Sequence, residues 1–209
     1  MLSFAQATAR ILTVFGGMIR NEGNFLKRVF DLVVAAIGLV VLSPLLLAAV
    51  LVVRLTSQGP GIFSQIRVGR DGKPFRCHKL RTMYVDTPSV PTHDVKASQV
   101  TKAGRFLRRT KFDELPQLWN VLKGEMSFVG PRPCLPSQTE LIEERLKRDV
   151  LALRPGITGI SQIRGIDMST PALLAESDAD YLEKQSLAFD LRVLFRTFLG
   201  SGSGDRIRR

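Results

Sequence analysis

The residues best suited to chemistry crowd into positions 108–133, RRTKFDELPQLWNVLKGEMSFVGPRP. Two adjacent carboxylates, Asp113 and Glu114, follow directly on Arg108, Arg109 and Lys111. Acids set among so many cations suit phosphate chemistry. The cations hold an anionic group, and an ionised carboxylate beside it serves as a metal ligand or as a nucleophile. Leu115, Leu118, Trp119 and Leu122 recur at i, i+3, i+4 and i+7, which predicts a helix with one apolar face. Asp113 then stands at the N-cap and Pro116 in the first turn, where a missing N–H costs little. A helix N-terminus attracts anions. The plain alternative is a capping Asp followed by a first-turn Glu, with no chemistry at all. Further on, Pro131-Arg132-Pro133 stiffens the backbone around one planar guanidinium, a shape that suits a diphosphate or a carboxylate.

Several elements must position these groups. The turn signals Gly59-Pro60-Gly61 and Asp71-Gly72 bracket a strand over 62–68, and a second strand over 74–83 closes a hairpin. Lys79 and Arg81 project from one face of that second strand, as a solvated face or as part of a site. Residues 84–101 read as a loop with His93 at the surface, and 102–110 as a short basic helix leading into the acids. Gly124 marks a helix stop and 127–130 an extended piece. A charged helix follows over 136–150. Residues 153–165, LRPGITGISQIRG, read as a Gly-rich loop with Arg154 and Arg164 at its ends, able to cradle a ligand. An acidic helix over 170–185 precedes one over 187–199, whose Leu187, Leu191, Leu194, Phe195 and Phe198 share a face that fits a membrane interface or a core equally.

Ahead of all this, residues 32–53 carry no charge. As helix they extend about 33 Å, enough to cross a bilayer core. Ser43-Pro44 sits in the middle, where proline removes a hydrogen bond and kinks a helix. Basic residues flank both ends, Arg20, Lys27 and Arg28 before and Arg54, Arg67, Arg70 and Lys73 after. A spanning helix favours one basic side, whereas a hairpin that dips into one leaflet and returns keeps both ends cytoplasmic. The two topologies stay open on these residues alone. The net charge of +11, from 30 basic and 19 acidic residues, calls for an anionic partner. One Trp, two Tyr and the lack of a zinc-finger, RNP or KH signature set nucleic acid aside, leaving a membrane surface or a phosphorylated substrate. Cys77 and Cys134 lack ligand spacing and read as two reduced thiols.

Read together, KRVFDLVVAAIGLVVLSPLLL, GPGIFSQIRVGRDGKPF, KLRTM, DELPQLWNVLKGEMSFVGPRP and RPGITG resemble the bacterial sugar transferase family, the small monotopic phosphoglycosyl transferases. The likeness covers residues 25–199. It implies an α+β, mostly helical fold: a re-entrant membrane helix-break-helix plus a small cytoplasmic catalytic domain with a short β-hairpin and interfacial amphipathic helices. The implied division is a lead-in (1–24), the re-entrant helix broken at Ser43-Pro44 (25–55), the catalytic domain (56–199) and a flexible basic tail (200–209). The implied reaction moves a sugar 1-phosphate from a UDP-sugar to undecaprenyl phosphate with Mg²⁺, at the cytoplasmic face of the bacterial inner membrane and in contact with its lipid. By that likeness Asp113 attacks the β-phosphate and holds the phosphosugar, and Glu114 serves as metal ligand or proton acceptor. Arg108 contacts phosphate and Pro131-Arg132-Pro133 forms the nucleotide-side loop, while Lys79, Arg81 and Arg154 complete the expected phosphate- and nucleotide-binding set. The chain departs from the family pattern at Ile160-Ser161-Gln162 and Arg164-Gly165, a stretch expected to decide the sugar. A phosphohydrolase using the same acids with water, and a non-catalytic basic module on anionic lipid, are the competing readings. The oligomeric state stays open, with a homodimer as one assembly.

Overall fold

The computed structural model describes residues 4–87 and 97–200, with side chains described over 25–87 and 98–200; His93 and the tail from 201 onward lie outside the described residues. The fold is α+β and mostly helical, with one long apolar helix at its start and two small two-stranded sheets.

Helix α1 (Phe4–Thr56) contains the whole charge-free run. Pro44 has no N–H to give the carbonyl of Val40, and Ser43 Oγ donates to that carbonyl instead, at 2.8 Å. Helix therefore continues through the pair at which the sequence pointed to a break. One stripe of α1 packs on the rest of the molecule in two stretches. Ala35 and Leu39 join Phe75, Leu118, Val121 and Met126. Leu46, Ala49, Val50 and Val53 join Leu80, Leu107 and Phe112. Between those stretches Val40, Val41, Ser43, Pro44 and Leu45 are exposed.

Both flanks of the run are tied to the same body. Lys27 is buried in an ion pair with Asp190 and also donates to the Val129 carbonyl at 3.1 Å. Asp31 accepts from the Phe128 N–H at 3.2 Å. At the other end Arg81 donates to the carbonyls of Ser57 (2.8 Å) and Gln58, satisfying groups that the end of a helix leaves open. Gly59 takes φ +104°, and a Cβ there would come within 2.1 Å of Arg81 Nη1, so glycine suits the turn on both counts.

The hairpin appears where the sequence placed it. Strands β1 (Ile62–Val68) and β2 (Pro74–Leu80) pair antiparallel, with Ile62 opposite Leu80 and Val68 opposite Pro74. The turn uses positive φ at Asp71 and Gly72. Beyond β2 the chain pairs across the expected loop, Thr101 N to Thr82 O (3.0 Å) and Tyr84 N to Gln99 O (3.1 Å). Helix α2 (Lys102–Thr110) starts from Thr101, whose Oγ1 accepts from Gly104 N at 2.9 Å.

After α3 (Gln117–Lys123), Gly124 stops the helix in the left-handed region at φ 83°. Strand β3 (Ser127–Val129) pairs in parallel with β4 (Gly156–Thr158), and α4 (Thr139–Leu146) lies between them in sequence. Residues 153–165 are thus a strand and a helical turn, α5 (Ile160–Ile163), where the sequence pointed to an open Gly-rich loop. Gly156 is glycine because a Cβ would meet Gly130 N at 2.2 Å, a demand of strand packing. Helices α6 (Pro171–Lys184) and α7 (Leu187–Phe198) close the fold. In α7, Asp190 and Val193 turn inward while Leu191, Phe195 and Phe198 stay exposed.

Candidate active site

Lys111 ends α2 in the left-handed region (φ 59°), and Phe112–Glu114 forms a single 3₁₀ turn before α3. This corrects the N-cap reading of Asp113: α3 begins at Gln117, with Pro116 at its cap. The inward face of α3 is also rotated from the one expected. Gln117, Leu118, Asn120 and Val121 are buried and Trp119 is exposed. The reason is Asn120, whose side chain accepts from His78 N (3.1 Å) and donates to Arg76 O (2.7 Å), satisfying the open edge of β2. Phe112 anchors the 3₁₀ turn against Leu80 and Leu107, and Asp113 is buried beside it.

Asp113 lines a cavity of about 440 Å³. One wall is the face of the hairpin bearing Arg67, Cys77, Lys79 and Arg81; Arg108 and Thr82 lie with Asp113. Phe63, Ile66, Tyr84 and Val85, all exposed, form an apolar rim. Glu114 Oε1 accepts from Lys79 Nζ at 3.0 Å and from Arg132 Nη1 at 3.3 Å. Arg108 Nε donates to Thr82 Oγ1 at 2.9 Å, which aims the guanidinium from the last turn of α2. Burial pushes the Cys77 thiol above its ordinary range, although Lys79 and Arg67 pull the other way.

Lys79, Arg108, Arg132 and the two acids are therefore brought together, with Pro131 and Pro133 buried around Arg132. Arg81 shares the cavity wall, but its donors go to the end of α1 and burial lowers its pKa. Arg154 is elsewhere. Its Nε donates to Gly124 O at 3.0 Å, at the opposite end of α3 and about 10 Å of helix from the acids. Burial and the neighbouring Arg28 and Arg70 lower its pKa. Ser161 Oγ on α5 donates to Asp178 Oδ1 (2.7 Å) and Arg164 Nη1, at the end of that helix, to Asp180 Oδ2 (2.7 Å), so both side chains serve contacts with α6. The sequence reading missed Thr82 and Gly104. A glycine inside the short helix α2 was the available signal. A Cβ there would sit 2.1 Å from Thr82 O, so Gly104 is what lets α2 approach the cavity floor.

A buried acid facing a cation-walled cavity, with a second acid clamped by Lys and Arg, has the chemistry that suits a phosphorylated ligand. The chain belongs to the bacterial sugar transferase family, whose model matches residues 22–202. Among its relatives is the UDP-glucose:undecaprenyl-phosphate glucose-1-phosphate transferase of Caulobacter vibrioides, 42% identical over 191 residues that make up 87% of this chain and 72% of that protein. The Escherichia coli protein of the same name is 39% identical over 90% of this chain, which spans only 42% of that relative's length. The exopolysaccharide production protein ExoY of Sinorhizobium fredii is 35% identical over 87% of both chains.

Proposed function

We propose that the chain transfers a sugar 1-phosphate from a UDP-sugar to undecaprenyl phosphate, releasing UMP and leaving a polyprenyl diphosphosugar, the first membrane step in making a bacterial glycoconjugate. The observation that carries this reading is buried Asp113 facing the cavity among Lys79 and Arg108, with Glu114 clamped by Lys79 and Arg132 alongside. The names of the relatives supply the two substrates.

In the first step an Asp113 carboxylate oxygen attacks the β-phosphorus, the bond from that phosphorus to the α-phosphate oxygen breaks, and UMP departs. In the second an oxygen of the lipid phosphate attacks the same phosphorus, the bond to Asp113 breaks, and the carboxylate is regenerated. Each is an in-line displacement whose charge the surrounding cations stabilise. Lys79, Arg108 and Arg132 hold phosphate oxygens, and exclusion of water by the buried Asp113 pocket protects the intermediate.

Among the described residues no three His, Cys, Asp or Glu side chains gather as a closed metal site. Two adjoining carboxylates next to a phosphate site nevertheless fit Mg²⁺, which takes one or two carboxylates plus substrate phosphate oxygens and keeps water. Asp113 and Glu114 would hold it, and when bound it offsets diphosphate charge.

The same reading seats the protein on the cytoplasmic face of the inner membrane without crossing it. The stretch Phe25–Thr56 is long and apolar enough to cross a bilayer, and only 11% of its most apolar window is buried. Val40 (75% exposed) and Leu55 (77%) are too bare for a core helix in water. Both flanks of the run rest on one domain and the residues at Ser43-Pro44 are exposed between them, which supports a segment that enters one leaflet and returns by bending at the proline. Leu191, Phe195 and Phe198 on α7 supply a second apolar contact with lipid.

The test is UMP release from a panel of UDP-sugars with Mg²⁺ and undecaprenyl phosphate. One sugar should support turnover, and Asp113→Asn should abolish it. Sugar phosphate released at the same rate without the lipid would make the protein a phosphohydrolase.

A further inference from the structure

The Pro131-Arg132-Pro133 segment lacks two N–H donors and is held through its carbonyls. Gly156 N donates to Pro131 O at 2.9 Å, and just beyond the segment Val68 N donates to Cys134 O at 3.0 Å. Arg67 Nη1 donates to Pro133 O at 3.1 Å, and Arg145 Nη1 to Arg132 O at 3.0 Å. Arg67 also lines the cavity, whereas Arg145, on α4, is buried outside it. Its other donors, Nε at 3.0 Å and Nη2 at 2.7 Å, both reach Asp178 Oδ2 on α6. The second oxygen of Asp178 accepts from Ser161. Both partners are almost fully buried. Such a pair adds little stability compared with apolar side chains of equal size, so stability alone does not account for it.

We propose that Arg145 and Asp178 are positioning residues of the transfer reaction. Asp178 aims the guanidinium of Arg145, Arg145 fixes the carbonyl of Arg132, and the side chain of Arg132 is thereby presented to Glu114 and to the phosphate. A planar fork with five donors can serve a carboxylate on one edge and a carbonyl on another at the same time, which an ammonium cannot. The inference rests on the transferase reading of the site.

The experiment is a mutant cycle on the full-length membrane enzyme. Replacing the pair by apolar isosteres, Arg145→Met with Asp178→Leu, should leave the thermal midpoint near that of the wild type. Its kcat should fall about 100-fold, the cost of a displaced contact, while KM for the UDP-sugar changes less. Arg132→Gln should cost a similar factor in the wild type but under about threefold in the double variant, because Arg132 is already misplaced there. Should the double variant fail to fold, Arg145→Lys keeps the buried charge and loses the fork, and it should show the same non-additivity. An equal cost of Arg132→Gln in every background overturns the relay and leaves the pair structural. A silent Arg132→Gln in an active wild type overturns the role of Arg132 and the relay with it. Absence of UMP release from the wild type with every UDP-sugar is instead the failure of the transferase reading.

Discussion

Glu114 and Asp178 both meet an arginine, in surroundings that differ in every other respect. Glu114 Oε1 takes both Lys79 and Arg132, whose side chains keep 25% and 24% of their surface exposed. Asp178 and Arg145 keep 3% each, and both oxygens of Asp178 are occupied. Partly solvated ion pairs exchange partners more readily than buried ones, so on the transferase reading the first cluster can release its cations to an arriving phosphate. The second cannot, since breaking it strands a charge away from water. The molecule thus uses one kind of contact twice, partly solvated at Glu114 and almost dry between α4 and α6.

This contrast can be pressed from both sides. The largest effect should come from Asp113→Asn, with lipid product falling on the order of 10⁴-fold or more in a radiolabelled transfer assay, while the thermal midpoint barely moves. Next, Arg145→Ala leaves Asp178 buried without its cation and should cost about 3–5 kcal/mol of stability. A thermal scan in detergent would read this as a midpoint lowered by roughly 6–20 °C. Glu114→Gln removes the shared charge at the partly exposed cluster and should lower kcat about 100-fold, near 2.7 kcal/mol of barrier, without a comparable loss of stability. If Glu114→Gln unfolds the protein as Arg145→Ala does, the two clusters are not different in kind.

A smaller effect is expected at the cavity floor. Gly104→Ala pushes α2 off Thr82 and should destabilise by about 1–3 kcal/mol, with KM for the UDP-sugar raised through the displaced Arg108. The smallest concerns Cys77. Burial raises its pKa, and the thiolate is the reactive form, so iodoacetamide labelling should stay slow through neutral pH and quicken only above the ordinary cysteine range. UDP in the cavity should slow it further, and mass spectrometry of the labelled peptide would show both.

Elements with local signals were legible in the residues: the hairpin, from its turn glycines and alternating strands, and α2, from its short basic run before the acids. The helix stop at Gly124 was legible for the same reason. The two acids and Arg108 were visible together because they are close in the chain, whereas Lys79 read as a solvated face or part of a site until the fold brought it to Glu114. What was hidden depends on partners distant in the chain. Nothing in the type of Arg81 or Arg154 says that each will meet helix carbonyls. Asp113 looked like a cap because the left-handed turn at Lys111, which sets a 3₁₀ turn between α2 and α3, carries no glycine to announce it. The inward turn of Asn120 follows from the needs of β2, and the strand inside 153–165 from a parallel partner that short-range alternation cannot reveal.

The tie between Lys27 and Asp190 has a consequence for synthesis. The two residues are 163 positions apart, so α1 leaves the ribosome holding an ammonium group whose partner has yet to be made. At about 5–20 residues per second the wait is roughly 8–33 s, long enough for the apolar run to settle into lipid first. Docking of α7 on α1 then follows, when Asp190 arrives to neutralise Lys27, and a chain stalled before residue 190 should remain membrane-bound but unassembled.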